Sequence, residues 1–268
     1  MDDLDHFIEI AELAADTAGE LIRSYYLQPV TAERKLAASP IVTEADLKAE
    51  QLIRKILQDK LPTHAVYGEE EGYAAGSDPF EWILDPIDGT IAFSCGKPVF
   101  ATLIALCKEG TPVLGLIDQP VTGQRWLGVA GRQTTLSGNS CSASRTTDLT
   151  DCRFSTTAPS MFDNGLERVL AELSDRCWVT SYGGDAYAYG LLASGHIDII
   201  IERGLARHDV AALLPVVTQA GGTLSDLDGK MLDSISPHTE DIFYDAVACG
   251  NQHLHAEVME IIRQYRMD

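Results

Sequence analysis

At Pro62 the spacing of apolar residues changes, and that change limits what this chain can fold into. Upstream, Leu4, Phe7, Ile8, Ala11, Ala15, Ala18, Leu21, Ile22 and Tyr25 recur at helical spacing and predict an amphipathic helix over 3–26. "SPIVTEADLKAEQLIRKILQDKLP" predicts a second helix. Thr43 with Asp46 three residues on reads as an acidic capping pair, and Pro62 stops the run. Between 64 and 136 the apolar runs shorten to strand length: HAVYGE, EWILD, VFATLIALCK, PVLGLIDQP and QRWLGVA, separated by turns with Gly or Pro.

The second half alternates. DNGLERVLAEL (163–173) reads as helix, CWVTSYG as strand, DAYAYGLLASG as helix and HIDIIIE as strand. HDVAALLPVVTQAGG reads as a helix with Pro215 inside it, TLSD and DAVACG as strands, and about 252–265 as a last helix. Alternating β and α predicts helices layered against a sheet. A chain of 268 residues can form one large domain or two lobes with a shared core. The small, polar stretch SGNSCSASRTTD marks the expected boundary, giving an N-terminal α+β lobe over 1–138 and a C-terminal α/β lobe over 139–268.

The formal net charge is −20, from 20 basic and 40 acidic side chains. A general field of that sign argues against nucleic acid or an anionic membrane as partner. If the substrate is itself an anion, local cations must reverse the field, which points to bound metal. There is no run of 18 apolar residues that would cross a membrane, and the acidic start MDDLDHF has no signal-peptide core. The six cysteines form no CxxC pair, so free thiols in a cytoplasmic protein are expected.

Three acidic clusters stand at element ends. "YGEEEG" carries Glu69 to Glu71. "WILDPIDGTIAF" carries Asp85 and Asp88. "RHDVAALL" carries Asp209 at a helix start. Mg²⁺ takes oxygen ligands from a few carboxylates and keeps room for waters and phosphate. A strand ending at Asp85 would hold that carboxylate rigidly. A Pro-Ile turn would fold Asp88 back toward it and expose the Ile87 carbonyl. At Gly89-Thr90 a helix could begin, with free amides for phosphate oxygens and a hydroxyl to orient water. Each piece alone has a plainer reading. Asp85 and Asp88 could form a turn, Glu69–Glu71 a solvated loop, Asp209 a favourable helix N-terminal acid, and Asp46 a cap. The combination favours the metal reading.

"GEE", "WILDPIDGT" and the acid before "AALLPVVTQAGG" together resemble the inositol monophosphatase family of metal-dependent phosphatases. The resemblance runs from "VTEAD" to "AGG" at 220–222. It implies a five-layer αβαβα sandwich of α+β class, commonly a homodimer. It implies two or three Mg²⁺ ions on Glu69, Asp85, the Ile87 carbonyl, Asp88 and Asp209, with phosphate against Gly89 and Thr90. By the same resemblance Asp46 would hydrogen-bond Thr90, and Glu70 would assist the water or a third ion. Inhibition by Li⁺ and Ca²⁺ is implied as well. One position departs: the family usually has Trp before the last aspartate, and here it is His208, for which packing is expected over ligation.

Longer stretches, "ATLIALCKEGTPVLGLIDQPVTGQRWLGVAGRQTTLSG" and "DAYAYGLLASGHIDIIIERGLARHDVAALLPVV", are similar to the histidinol-phosphate phosphatase branch. Its substrate carries an ammonium and an imidazole. Glu202 stands where the family places a substrate-binding glutamate, and Asp185 follows two glycines at an expected helix start. These two carboxylates are the candidates to meet the cationic end. The runner-up is an inositol or broader sugar-phosphate phosphatase. A reading of another class is a metal-binding protein that acts through a protein partner.

Overall fold

The computed structural model describes residues 4–28, 32–34, 41–163, 165–238 and 242–266. The chain opens with α1 (Leu4–Tyr25), a ribbon of β1 (Ala32–Arg34) and β2 (Ile41–Thr43), and α2 (Glu44–Lys60). There follow β3 (Ala65–Gly68), β4 (Gly72–Ala74), β5 (Phe80–Asp88) and a one-turn helix α3 (Thr90–Ser94). The meander continues through β6 (Ala101–Lys108), β7 (Thr111–Gln119), β8 (Gln124–Val129), β9 (Arg132–Leu136) and β10 (Asn139–Ser140). The second half begins with β11 (Arg153–Thr156), α4 (Glu167–Arg176), β12 (Val179–Tyr182), α5 (Asp185–Ala193) and β13 (Ile199–Leu205). It ends with α6 (Arg207–Val210), α7 (Leu213–Gln219), β14 (Thr223–Ser225), β15 (Tyr244–Cys249) and α8 (Gln252–Arg266).

Five layers result. One core packs α1 and α2 on one face of an eight-stranded sheet of order β10-β9-β8-β7-β6-β5-β3-β4. A second core fills the space between that sheet and a five-stranded sheet of order β12-β11-β13-β15-β14, with α5 and α7 as the middle layer. A third packs α4 and α8 on the far face of the smaller sheet. The αβαβα sandwich expected from the sequence is what the protein forms. Alternation along the strands decides where the acids go. Trp82 and Leu84 of β5 face α1 and α2, whereas Ile83 faces the middle layer. Asp85 continues the Ile83 side. In β13, Ile199 and Ile201 face α4 and α8, Ile200 faces the middle layer, and Glu202 follows Ile200.

Several local readings change. β5 does not stop at Asp85; it runs on to Asp88 with an irregularity in its pairing to β6 between the two aspartates. Thr102 donates to the Pro86 carbonyl at 2.8 Å there. So Asp88 is re-aimed by a bulge within a strand rather than by a turn. The helix over 208–222 is two pieces, and Pro215 falls in the first turn of α7, where its missing N–H costs no hydrogen bond. The helix read over 163–173 begins only at Glu167. Residue 3 of the first predicted helix and residue 164 lie outside the described residues. All six cysteines are free, and among the described residues no helix is long and apolar enough to cross a membrane.

Candidate metal centre

The capping pair at the start of α2 forms as expected. Asp46 is fully buried; its carboxylate accepts the Thr43 amide at 2.9 Å and also the Thr43 hydroxyl. Its other oxygen faces the Thr90 hydroxyl at 3.4 Å, a long contact, while the Ile87 carbonyl takes that hydroxyl at 3.1 Å. Burial is the main reason the Asp46 carboxyl is pushed up to about 6.

β5 delivers Asp85 from a strand flanked by buried Trp82, Ile83 and Leu84, so its placement is stiff. Asp85 accepts the Ile87 amide at 3.0 Å, which fixes the bulge, and Ile87 borders the cleft. Asp88 accepts the Ala186 amide of α5 at 2.6 Å. Asp209 closes α6 on itself by accepting the Ala206 amide at 2.7 Å. Three elements thus bring Asp85, Asp88 and Asp209 together, with carboxylate oxygens within 4.8 Å of one another. Burial and then neighbouring carboxylates hold Asp85 and Asp88 well above the usual range; burial also raises Asp209, against the lowering effect of His208. Among the described residues, no Lys or Arg forms an ion pair with any of the three. A set of hard oxygen donors that raise one another's pKa fits a divalent cation.

Gly89 takes φ +81°, and a Cβ there would stand 2.9 Å from Asp185 Oδ2, so only glycine lets the chain pass between Asp88 and Asp185. All of these groups border one cleft of about 710 Å³, which Glu69, Glu70, Gly89, Thr90, Asp185 and His208 also line. Of the residues expected in the site, Asp46 and Glu202 are the two that do not reach it. Asp46 sits behind Thr90. Glu202 is buried in an inner cavity of about 30 Å³ bordered by Asp88, Asp185 and Asp209. It accepts the Thr157 amide at 3.0 Å and the Tyr189 hydroxyl at 3.1 Å. Burial pushes Glu202 up to about 7 and Asp185 to about 6.

Sequence reasoning missed Glu50 and Arg54. Glu50 is fully buried and accepts the amides of Glu70 at 2.8 Å and Glu71 at 3.0 Å, while Arg54 holds it at 2.7 Å. Gly68 makes room, since a Cβ there would collide with the Glu50 carboxylate. The pair therefore shapes the turn that carries Glu69 and Glu70. The signal was weak: a Glu and an Arg four apart on a helix look like an ordinary surface pair.

Residues 3–267 match the sequence model of the inositol monophosphatase family. This chain belongs to that family. It is 42% identical over 261 residues to the bifunctional phosphatase IMPL2, chloroplastic, of Arabidopsis thaliana, covering 96% of this chain and 75% of that protein. A histidinol-phosphatase of Streptomyces coelicolor is 36% identical over 269 residues, covering 96% of this chain and 97% of the relative. Among solved structures, an inositol monophosphatase from Zymomonas mobilis superposes with a TM-score of 0.84 at 36% identity, covering 98% of this chain and 100% of that one. The chain is therefore a phosphatase of this family, and the family's general dependence on metal agrees with the carboxylate cluster.

Proposed function

We propose that this chain is a Mg²⁺-dependent hydrolase of L-histidinol phosphate, releasing histidinol and phosphate in histidine biosynthesis, and that it works as a cytoplasmic homodimer. The observation that carries the reading is the meeting of Asp85, Asp88 and Asp209 in a cleft with no Lys or Arg paired to them among the described residues. Glu69, Asp85, the Ile87 carbonyl, Asp88 and Asp209 would hold two ions, and Glu70 would serve a third or the water. Bound there, such ions lower the pKa of a water and neutralise charge on the phosphoryl oxygens.

The protein's own part is placement. The Thr90 hydroxyl, between the Ile87 carbonyl and Asp46, orients the attacking water for in-line displacement. Gly89 and Thr90 present backbone amides to the phosphate. Asp185 borders the cleft and meets the substrate's cationic end, and Glu202 adds negative charge from the cavity behind it. Both carboxyls stand above their usual range, so a neighbouring cation is welcome. Similarity to the histidinol-phosphatase of Streptomyces coelicolor supports histidinol phosphate. Similarity to the inositol monophosphatase from Zymomonas mobilis keeps inositol 1-phosphate as the second reading.

A charge-assisted hydrogen bond contributes about 1.5–3 kcal/mol, so Asp185→Asn should lower kcat/KM for histidinol phosphate about 10–150-fold. Loss on p-nitrophenyl phosphate should be much smaller. A panel of histidinol phosphate, inositol 1-phosphate and fructose 1,6-bisphosphate tests the assignment. Preference for inositol 1-phosphate by the wild type would overturn the histidinol reading. Phosphate release from none of the three, with Mg²⁺ present, would favour a non-catalytic protein partner. Light scattering at monomer mass would remove the dimer.

A further inference from the structure

Two sets of potential ligand atoms share Asp85. Asp85, Asp88 and Asp209 offer oxygen alone. Glu69, Asp85 and His208 bring an imidazole nitrogen, and in each set the atoms lie within 4.8 Å of one another. His208 is held in place. Its ring lies nearly parallel to Tyr67, with centroids 6.3 Å apart and planes 18° apart. The Arg207 guanidinium stands 4.4 Å from the same Tyr67 ring and is tied to Glu81 at 2.8 and 3.1 Å. The His208 Nε2 is 3.3 Å from Asp209 Oδ1, whereas Nδ1 is buried with no hydrogen-bond partner. A buried ring nitrogen without a partner calls for a reason. Packing on Tyr67 accounts for where the ring lies but leaves that nitrogen unmatched.

We propose that His208 is a metal ligand, and that this makes the two ion positions chemically unequal. Both positions take Mg²⁺, and the imidazole makes the Glu69–Asp85–His208 position the one that favours a first-row transition ion when one is present. Imidazole suits transition ions, and Mg²⁺ prefers oxygen donors. This inference rests on the metal-dependent reading above.

The probe is Mn²⁺, which binds weakly within the transition series and favours oxygen donors, so nitrogen bonded to it is a stringent sign of His208, and its paramagnetic signal reports that nitrogen. Ion-free protein is titrated by calorimetry with Mg²⁺ and, separately, Mn²⁺, as wild type, His208→Gln and Asp88→Asn. Mn²⁺-loaded samples are then read by electron spin-echo modulation, with and without ¹⁵N-histidine labelling. The expected result is nitrogen modulation in wild type that changes on labelling, persists in Asp88→Asn and vanishes in His208→Gln. Mn²⁺ affinity in His208→Gln should fall at least about tenfold, with Mg²⁺ affinity within about threefold of wild type. If His208→Gln does not fold, His238→Gln decides, because His208 and His238 are the histidines that line the cleft among the described residues. Modulation retained there supports His208, and modulation lost there overturns it. No nitrogen modulation in a wild type that binds Mn²⁺, or modulation that survives His208→Gln, also overturns the proposal and leaves the metal reading intact. A wild type that binds neither ion removes both.

Discussion

Asp85 and Asp198 are the same residue type at nearly the same burial, 2% and 0% exposed, yet the protein treats them oppositely. Asp198, just before β13, accepts the Arg153 amide at 2.7 Å and its guanidinium at 2.8 and 3.2 Å. Burial pushes its carboxyl up, but the hydrogen bonds from Arg153 and Ser144 outweigh burial and hold it below the usual range. Asp85 has burial and then Glu69, Asp88 and Asp209 around it, and all four push its carboxyl up. A buried acid with a guanidinium is complete within the fold. A buried acid among acids is completed by a cation from outside. The difference separates structural from functional carboxylates without reference to any relative.

The contrast should break first at Asp88. Asp88→Asn removes a donor from the incomplete cluster, so phosphate release should fall about 10²–10³-fold or more, as for loss of other electrostatic stabilisers. The same change relieves repulsion, so the ion-free melting temperature should stay level or rise. Turnover and circular dichroism melting on one sample check both, and near wild-type turnover in a folded variant would contradict the role given to Asp88. Asp198→Asn should do the reverse. It strands Arg153 and should cost about 3 kcal/mol in urea unfolding, at the low end for a broken buried pair because Arg153 is partly exposed. Divalent-ion binding by the folded fraction should be unchanged; weakened binding would blur the distinction.

Glu50 stands between these extremes, since it is paired like Asp198 but serves the cleft like Asp85. Glu50→Gln weakens its hold on the Glu70 and Glu71 amides. Mg²⁺ affinity should fall roughly tenfold, in the range for loss of a group that orients a metal ligand, with a KM for substrate close to wild type. Unchanged Mg²⁺ affinity by calorimetry would reduce Glu50 to a purely structural part.

The cleft was far more legible in the sequence than its supports. DPIDGT compresses a strand end, two acids and a left-handed glycine into six residues, and such density has few structural explanations. Glu50 and Arg54 look like an ordinary helix pair, and what marks them, the Glu70 and Glu71 amides, stands far along the chain, as Asp198 does from Arg153. The strand β11 went unread for a related reason. RFST is short and polar enough to pass as loop, and only its place between β12 and β13 makes it a strand. Asp88 was expected on a turn because Pro86 precedes it, but the β6 ladder overrode that local preference. His208 was legible as a departure, and its neighbours Glu69 and Asp85 came into view only in the fold.

The smallest expected effect is a slope. Asp46, Asp185 and Glu202 have folded-state pKa values of about 6, 6 and 7, above those of an unfolded chain. Between about pH 4 and pH 7 the unfolded chain binds fewer protons than the folded one, so stability falls as pH rises. Melting of ion-free protein should show this decline, and Mg²⁺ should flatten it. A melting temperature that rises with pH in ion-free protein would mean the carboxylates are already compensated.

The central claim is that the cleft acids are a cation site on which hydrolysis depends. Phosphate release from histidinol phosphate, followed before and after exhaustive chelation and again after Mg²⁺ is returned, tests it most directly. Activity should vanish with the chelator and recover with the ion. Full release in the presence of chelator would contradict the account.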